Sequence, residues 1–466
     1  ALRRGALVFL ATLLLPSLVA AQQKLLTLDD LYDPQKRVDF TGTVPMGLVW
    51  LDDDHYLQGK GGRANQPVEW LKVRAATSAT TPFFEVAKLE AALAALPGVS
   101  AAEAKRLAGR SSFLVDQARP ATPLSSNESG AARALNPAKD ALLMRVGDDL
   151  FHYDLKTSAL LRLTDTPGDE QDPAFSPDGR LVAFTRAGNL FVVDVAAHRE
   201  RQLTTDGGPQ RFNGRLDWVY QEEIYGRGTF RAFWWSPDST RLAFLQLDQH
   251  AVPEIVLTDH IPARQAIEEF DYPKAGDPNP TVKLAVVRAT GGPVTFVDTS
   301  KYSAADHLIV NVTWAPDSAD VVYSLQDREQ TWLDLNRGNA ATGATKTLLR
   351  ETTKAWVDNQ GDPTWLKDGS FLWTSERTGW KHLYHYKADG TLVKPLTTGA
   401  WEVRTVHGVD ETGGWVYFSG TERSHIGGDV YRVKLDGTGL VRLSQKAGTH
   451  GANFNPSMTA YVGTWS

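Results

Sequence analysis

Cysteine is absent from this chain of 466 residues. No disulfide framework, thiolate metal site or thiol nucleophile can therefore be built. A core this large needs no covalent staple, so the absence does not decide the compartment. A marked excess of one charge is also missing, since 49 Lys and Arg stand against 55 Asp and Glu for a net −6. That balance offers no basic field for nucleic acid or an anionic membrane surface. Long apolar runs are scarce. Ala6 to Leu15 is too short to favour a bilayer span. Set behind Leu2-Arg3-Arg4 and ahead of Val19-Ala20-Ala21, it reads as a secretory signal peptide over residues 1–21. An uncleaved anchor is the rival reading. A secreted or periplasmic protein is expected, with no membrane span in the mature chain. The first residue is Ala rather than Met, which reads as an incomplete N-terminus.

Aromatics, by contrast, are plentiful, with 14 Trp and 13 Tyr, as suits repeated sheets that pack aromatics between them. Two signatures recur. One is a strand, a polar turn and a second strand: Asp149 to Asp154 before Leu161 to Thr164, Asn189 to Asp194 before Arg201 to Thr204, His382 to Tyr386 before Lys394 to Thr397, and Asp429 to Val433 before Val441 to Ser444. The other is an aromatic followed by a tight turn, as in Phe175-Ser176-Pro177-Asp178-Gly179, Trp235-Ser236-Pro237-Asp238-Ser239 and Trp314-Ala315-Pro316-Asp317-Ser318, with looser copies at Trp365 and Phe454. Pro presets the backbone of such a turn, and Asp bonds its own main chain. Four strands repeating every ~40–50 residues are the pattern of a β-propeller. The expected fold is all-β, one propeller over residues 22–466, and roughly 50–55 residues per blade gives about eight four-stranded blades. Residues 83–108 switch to helical spacing, with Pro97-Gly98 as a stop and Ser100-Ala101-Ala102-Glu103 as a capping box, so a short helical insertion is expected there. Gly59 to Gln66 and the stretch 250–280 read as loops.

One stretch departs from the rhythm. Leu216-Asp217-Trp218-Val219-Tyr220-Gln221-Glu222-Glu223-Ile224-Tyr225 sets two adjacent carboxylates among large aromatics. It is followed by Trp234-Trp235-Ser236-Pro237 and by Tyr272-Pro273-Lys274-Ala275-Gly276-Asp277-Pro278-Asn279-Pro280-Thr281-Val282. These three ordered motifs resemble the N-terminal propeller of the dipeptidyl peptidase IV family, most densely over 213–290. The resemblance implies a propeller joined to an α/β-hydrolase serine peptidase. It also implies that Glu222 and Glu223 bind the free α-amino group of a peptide. A complete protein of this kind would release N-terminal dipeptides with Pro or Ala at the second position.

The chemistry of the pair fits that role. A peptide α-amino group has a pKa of about 8 and is cationic at pH 7. Its three N–H donors need acceptors if water is removed, and two carboxylates supply them. Acylated or internal segments carry no such charge and would be rejected. Asp217 is read as the cap of the turn that carries the glutamates, and Trp218 and Tyr220 as blade packing. Glu-Glu alone would be an ordinary solvated pair.

The catalytic part is not found. A hydrolase needs a Gly-x-Ser-x-Gly elbow on a strand-to-helix turn, whereas Gly109-Arg110-Ser111-Ser112 lacks the closing glycine. His425-Ile426-Gly427-Gly428 reads as a plain turn. No α/β-hydrolase domain and no catalytic residue is assigned within these residues. No cofactor is expected, and no metal, since His382 and His385 fall on opposite faces of one strand. The expected partners are a peptide with a free N-terminus, a C-terminal hydrolase domain outside this chain and, as one option, a second copy in a homodimer. Two family features are not reproduced. Arg145 does not align clearly with the arginine that holds the substrate carbonyl, and Trp356-Val357-Asp358-Asn359-Gln360 lacks the family's aromatic-arginine pair. Two other readings stand beside this one. A stand-alone propeller would bind peptides or proteins without catalysis, and an oligopeptidase relative would not need the glutamates.

Overall fold

The structure is a computed structural model that describes residues 25–33, 35, 38, 46–61, 68–109, 135–303 and 307–466. The expected signal segment 1–21, residues 62–66 of the expected loop, and Arg110 to Ser112 lie outside the described residues. Residues 1–44 form one unit, whose described part holds the helix Leu28–Tyr32. Thr27 caps it, its hydroxyl accepting the Asp30 N–H at 3.2 Å while the Asp30 carboxylate accepts the Thr27 N–H at 2.9 Å.

Residues 45–466 form the second unit, whose described residues make a seven-bladed β-propeller. Its antiparallel sheets span 46–82, 141–162, 171–202, 211–296, 307–352, 364–395 and 403–442, and a two-stranded ladder follows over 450–465. Seven blades stand where the length gave about eight. The overcount arises because length was divided evenly, whereas the two-stranded ladder, a helical pair and a long hairpin take up residues without making a further blade.

Packing follows from strand alternation. On Arg241–Asp248, Leu242 and Phe244 join a cluster with Ala183, Leu190 and Val192 of the third sheet. Ala243 and Leu245 point the other way and join Ile309, Val312 and Val322 of the fifth. Central strands buried on both faces therefore read as continuous apolar runs rather than alternating ones. Each buried Leu, Ile, Val or Phe among them contributes about 1.5–3 kcal/mol by burial.

The repeated turns tie neighbours together through polar atoms. Trp235 Nε1 donates to the Ala174 carbonyl of the third sheet at 3.2 Å, and Trp314 Nε1 donates to the Trp234 carbonyl of the fourth at 3.0 Å. The hydroxyl of Ser239 accepts the Asp178 N–H at 3.0 Å, and that of Ser318 accepts the Asp238 N–H at 3.1 Å. Both serines sit at positive φ, 62° and 59°, where Gly179 of the first copy has 73°. The left-handed turn costs serine some strain, and the bond to the next blade offsets it. The ends of the unit also meet. Asn453 Nδ2 donates to the Leu48 carbonyl at 2.8 Å, and Trp50 Nε1 donates to the Asn453 carbonyl at 3.0 Å.

The helical insertion comprises Val86–Ala94 and Ala101–Ala108, and the Ser100 hydroxyl accepts the Glu103 N–H at 3.2 Å. Two expected loops are strands instead. His55–Gly61 runs through the start of the first. Within 250–280, Glu254–Asp259 pairs with Ala266–Asp271 in a hairpin. Both of its faces are largely exposed, so no one-sided apolar pattern announced it. Among the described residues, no helix is long and apolar enough to cross a membrane.

Candidate functional site

The site is built by the segment between the first and second strands of the fourth sheet. Asp217 starts it. Its carboxylate accepts the N–H of Val219 at 2.9 Å and of Tyr220 at 3.2 Å, and it is buried. Burial pushes its pKa up to about 6, with nearby Asp271 adding to the rise, while the two N–H bonds hold it back. The chain then forms a π-turn, Tyr220–Ile224, closed by the Tyr225 N–H donating to the Tyr220 carbonyl at 2.8 Å. Such turns are rare and concentrate at functional sites. Tyr220 and Tyr225 are buried beneath it, and Tyr225 Oη donates to the Ile309 carbonyl of the fifth sheet at 3.1 Å. The return path needs backbone that L-residues rarely adopt, and Gly226 and Gly228 supply it with φ of 102° and 85°.

This anchoring separates the two glutamates. Glu222 is partly buried and ion-paired with Arg227, whose Nε donates at 2.6 Å and whose Nη2 also bonds it. Glu223 is exposed and lines a cavity of about 460 Å³. Only Glu223 of the two lines that cavity. Trp218, read from sequence as packing, also lines it, and its ring lies 4.3 Å from that of Tyr272, centroid to centroid. Two motifs that are more than fifty residues apart thus meet at one wall. Tyr220 is packing, as expected.

Much of the remaining lining comes from residues that the sequence did not assign to the site. Gln326 and Arg328 lie at the end of Asp320–Asp327 and just beyond it, and Asp358 and Asn359 lie in the loop before the sixth sheet. Arg328 is held by the neighbouring segment, both terminal nitrogens donating to the Asp277 carbonyl at 3.1 Å. Gln326 is buried, yet its Oε1 has no hydrogen-bond partner. Gln326 and Arg328 carry no periodic or motif signal, and the stretch holding Asp358 and Asn359 stood out only for lacking a family pair; the fold places all four beside Glu223.

Other sequence candidates lie elsewhere. Arg145 pairs with Asp169 at 2.6 Å and does not line the cavity. His382 is buried against Thr397 and the Gly399 carbonyl, and His385 contacts the Ser370 hydroxyl. Among the described residues, no group of three or more His, Asp or Glu is arranged to hold a metal. His425 stacks on Trp380 in an exposed turn.

Comparison with known proteins places this chain in a family. The model for the dipeptidyl peptidase IV N-terminal region matches residues 142–466. The chain belongs to that family. Within it, a protein of Neosartorya fischeri named "Probable dipeptidyl peptidase 4" is 32% identical over 304 residues, which are 61% of this chain and 39% of that protein. "Dipeptidyl peptidase 4" of Arthroderma otae is 28% identical over 327 residues, 67% of this chain and 42% of its own length. This member of the dipeptidyl peptidase IV N-terminal family therefore spans about two fifths of the curated relatives it matches. The crystal structure of Porphyromonas gingivalis dipeptidyl peptidase 4 superimposes with a TM-score of 0.75 at 23% identity, covering 95% of this chain and 59% of that one. That likeness supports the fold.

Proposed function

We propose that this propeller recognises the free N-terminus of peptides and presents them to a serine peptidase domain, so that the complete protein releases N-terminal dipeptides. Glu223 is the principal acceptor for the peptide ammonium. Glu222 contributes when it leaves Arg227. The single observation that supports this most is Glu223 on the wall of a cavity of about 460 Å³, carried by a π-turn pinned from below. That volume lies in the range of small-ligand sites, roughly 300–1,000 Å³. The family and the names of its relatives supply the peptidase part of the reading. Delivery outside the cytoplasm rests on the signal-like residues 1–21.

The test uses the full-length protein and chromogenic dipeptidyl amides with Pro or Ala at the second position. Release is expected from free dipeptidyl substrates, at a rate lowered by Glu223→Gln, with no release from N-acetylated ones. Equal turnover of the acetylated substrates contradicts the reading. A reading frame with no Gly-x-Ser-x-Gly beyond Ser466 removes the peptidase part and leaves a peptide-binding module.

A further inference from the structure

We propose that the same cavity holds a second cation site built on Asp358, which makes peptides beginning with lysine or arginine its preferred occupants. This rests on the N-terminus reading and extends it to the side chain of the first residue. The charged side chains lining the cavity are the carboxylates of Glu223 and Asp358 and the guanidinium of Arg328. Arg328 is engaged through both terminal nitrogens with the Asp277 carbonyl. Among the described residues, Asp358 has no cationic partner within 4 Å, and its Oδ1 accepts the indole N–H of Trp356 at 3.2 Å. One ammonium at Glu223 leaves that second carboxylate with no cation in direct contact, Arg328 offsetting its charge only from a distance.

Two further observations point to a ligand. Gln326 is 3% exposed, lines the cavity, and has an Oε1 with no donor. A buried amide oxygen left in that state is unfavourable, and an N–H from a bound ligand would satisfy it. Trp356, held beside Asp358 by that bond, is 66% exposed. An indole next to a carboxylate combines cation–π and ionic attraction, which suits an ammonium or guanidinium. Leu308 and Val310 of the lining give apolar surface for the methylene stem of a long basic side chain.

Calorimetric titration of the 466-residue chain decides it, using Lys-Pro-Ala amide against its uncharged analogue norleucine-Pro-Ala amide. The lysine peptide should bind about tenfold more tightly, a difference of about 1.4 kcal/mol. Asp358→Asn should bring the lysine peptide to the affinity of the norleucine peptide, and Trp356→Leu should narrow the gap about twofold. Thermal melting of each variant reports folding independently. Equal affinities in the unaltered chain, or a lysine preference that survives Asp358→Asn in a folded variant, overturn the proposal. N-acetylated norleucine peptide binding as well as the free form overturns instead the N-terminus reading beneath it, as does the absence of binding by either peptide.

Discussion

Two kinds of turn occupy the fourth sheet, and they solve different problems. At Ser236 to Arg241 the chain repeats a design already used at Ser176 to Leu181. In both copies the serine hydroxyl donates to an aspartate at 2.6 Å and accepts a main-chain N–H five residues on at 3.0 Å. These bonds hold each turn in shape, and the N–H of Asp178 and of Asp238 then donates to a serine of the neighbouring blade, so each turn serves the ring. The turn from Asp217 to Gly228 has no such copy. It buries a carboxylate, leaves the α-helical register and spends two left-handed glycines. In return it sets Glu223 on a cavity wall. Regularity here marks stability, and departure from it marks the candidate site.

Four substitutions test that contrast. The largest effect is expected at Trp314, which is 5% exposed and bonded to the fourth sheet. Trp314→Ala should cost about 3–5 kcal/mol in denaturant unfolding. At the site, Glu223→Gln should weaken binding of a free-N-terminus peptide about tenfold while leaving the unfolding midpoint in place. This follows from the usual contribution of a charge-assisted hydrogen bond, roughly 1.5–3 kcal/mol before solvent screening at an exposed position. A midpoint that falls together with the affinity breaks the separation between ring and site.

A pH test comes next. The Asp217 carboxyl is pushed up to about 6 in the folded chain, against 3.8 for the ordinary group. Between those values the folded state holds a proton that the unfolded state has released. Stability from this group is therefore present below pH 4 and lost as pH rises through 6. Asp217→Asn should remove that fall, by up to about 2 kcal/mol at pH 7 relative to pH 4, seen as a difference between the two unfolding profiles. His407, pushed down to about 4 by burial, contributes the opposite slope. It is common to both proteins, so it cancels in the difference. A mutant profile parallel to that of the unaltered chain contradicts the assignment. The smallest effect belongs to Arg227→Ala, which frees Glu222 and should raise affinity for free-N-terminus peptides about twofold. Weaker binding would mean that the arginine itself serves the ligand.

Much of the ring was legible in the sequence because its cause is local. An aromatic, Pro and Asp announce the turn, and the following run of apolar residues announces a strand buried on both faces. The blade count was less legible, since residues 254–271 form strands with exposed faces and no inward pattern. At the site, Asp217 and the glutamates were visible as a departure from the rhythm. Their divergence was not, because one extra residue in a π-turn redirects a side chain without leaving a compositional trace. Gln326 and Arg328 were silent, and Asp358 was visible only as a departure from a family pair, for a different reason. Their role comes from which blades face each other across the cavity, and spacing along the chain does not encode that.

The central claim is that Glu223 and its cavity read the positive charge of a peptide's first residue. Isothermal titration of this chain with one peptide sequence, as the free amine and as its N-acetyl form, addresses it directly. Saturable binding of the free amine that weakens as pH rises past about 8, where the ammonium is lost, with no binding of the acetylated form, is the predicted result. Equal binding of both forms, unchanged across that pH range, would contradict it.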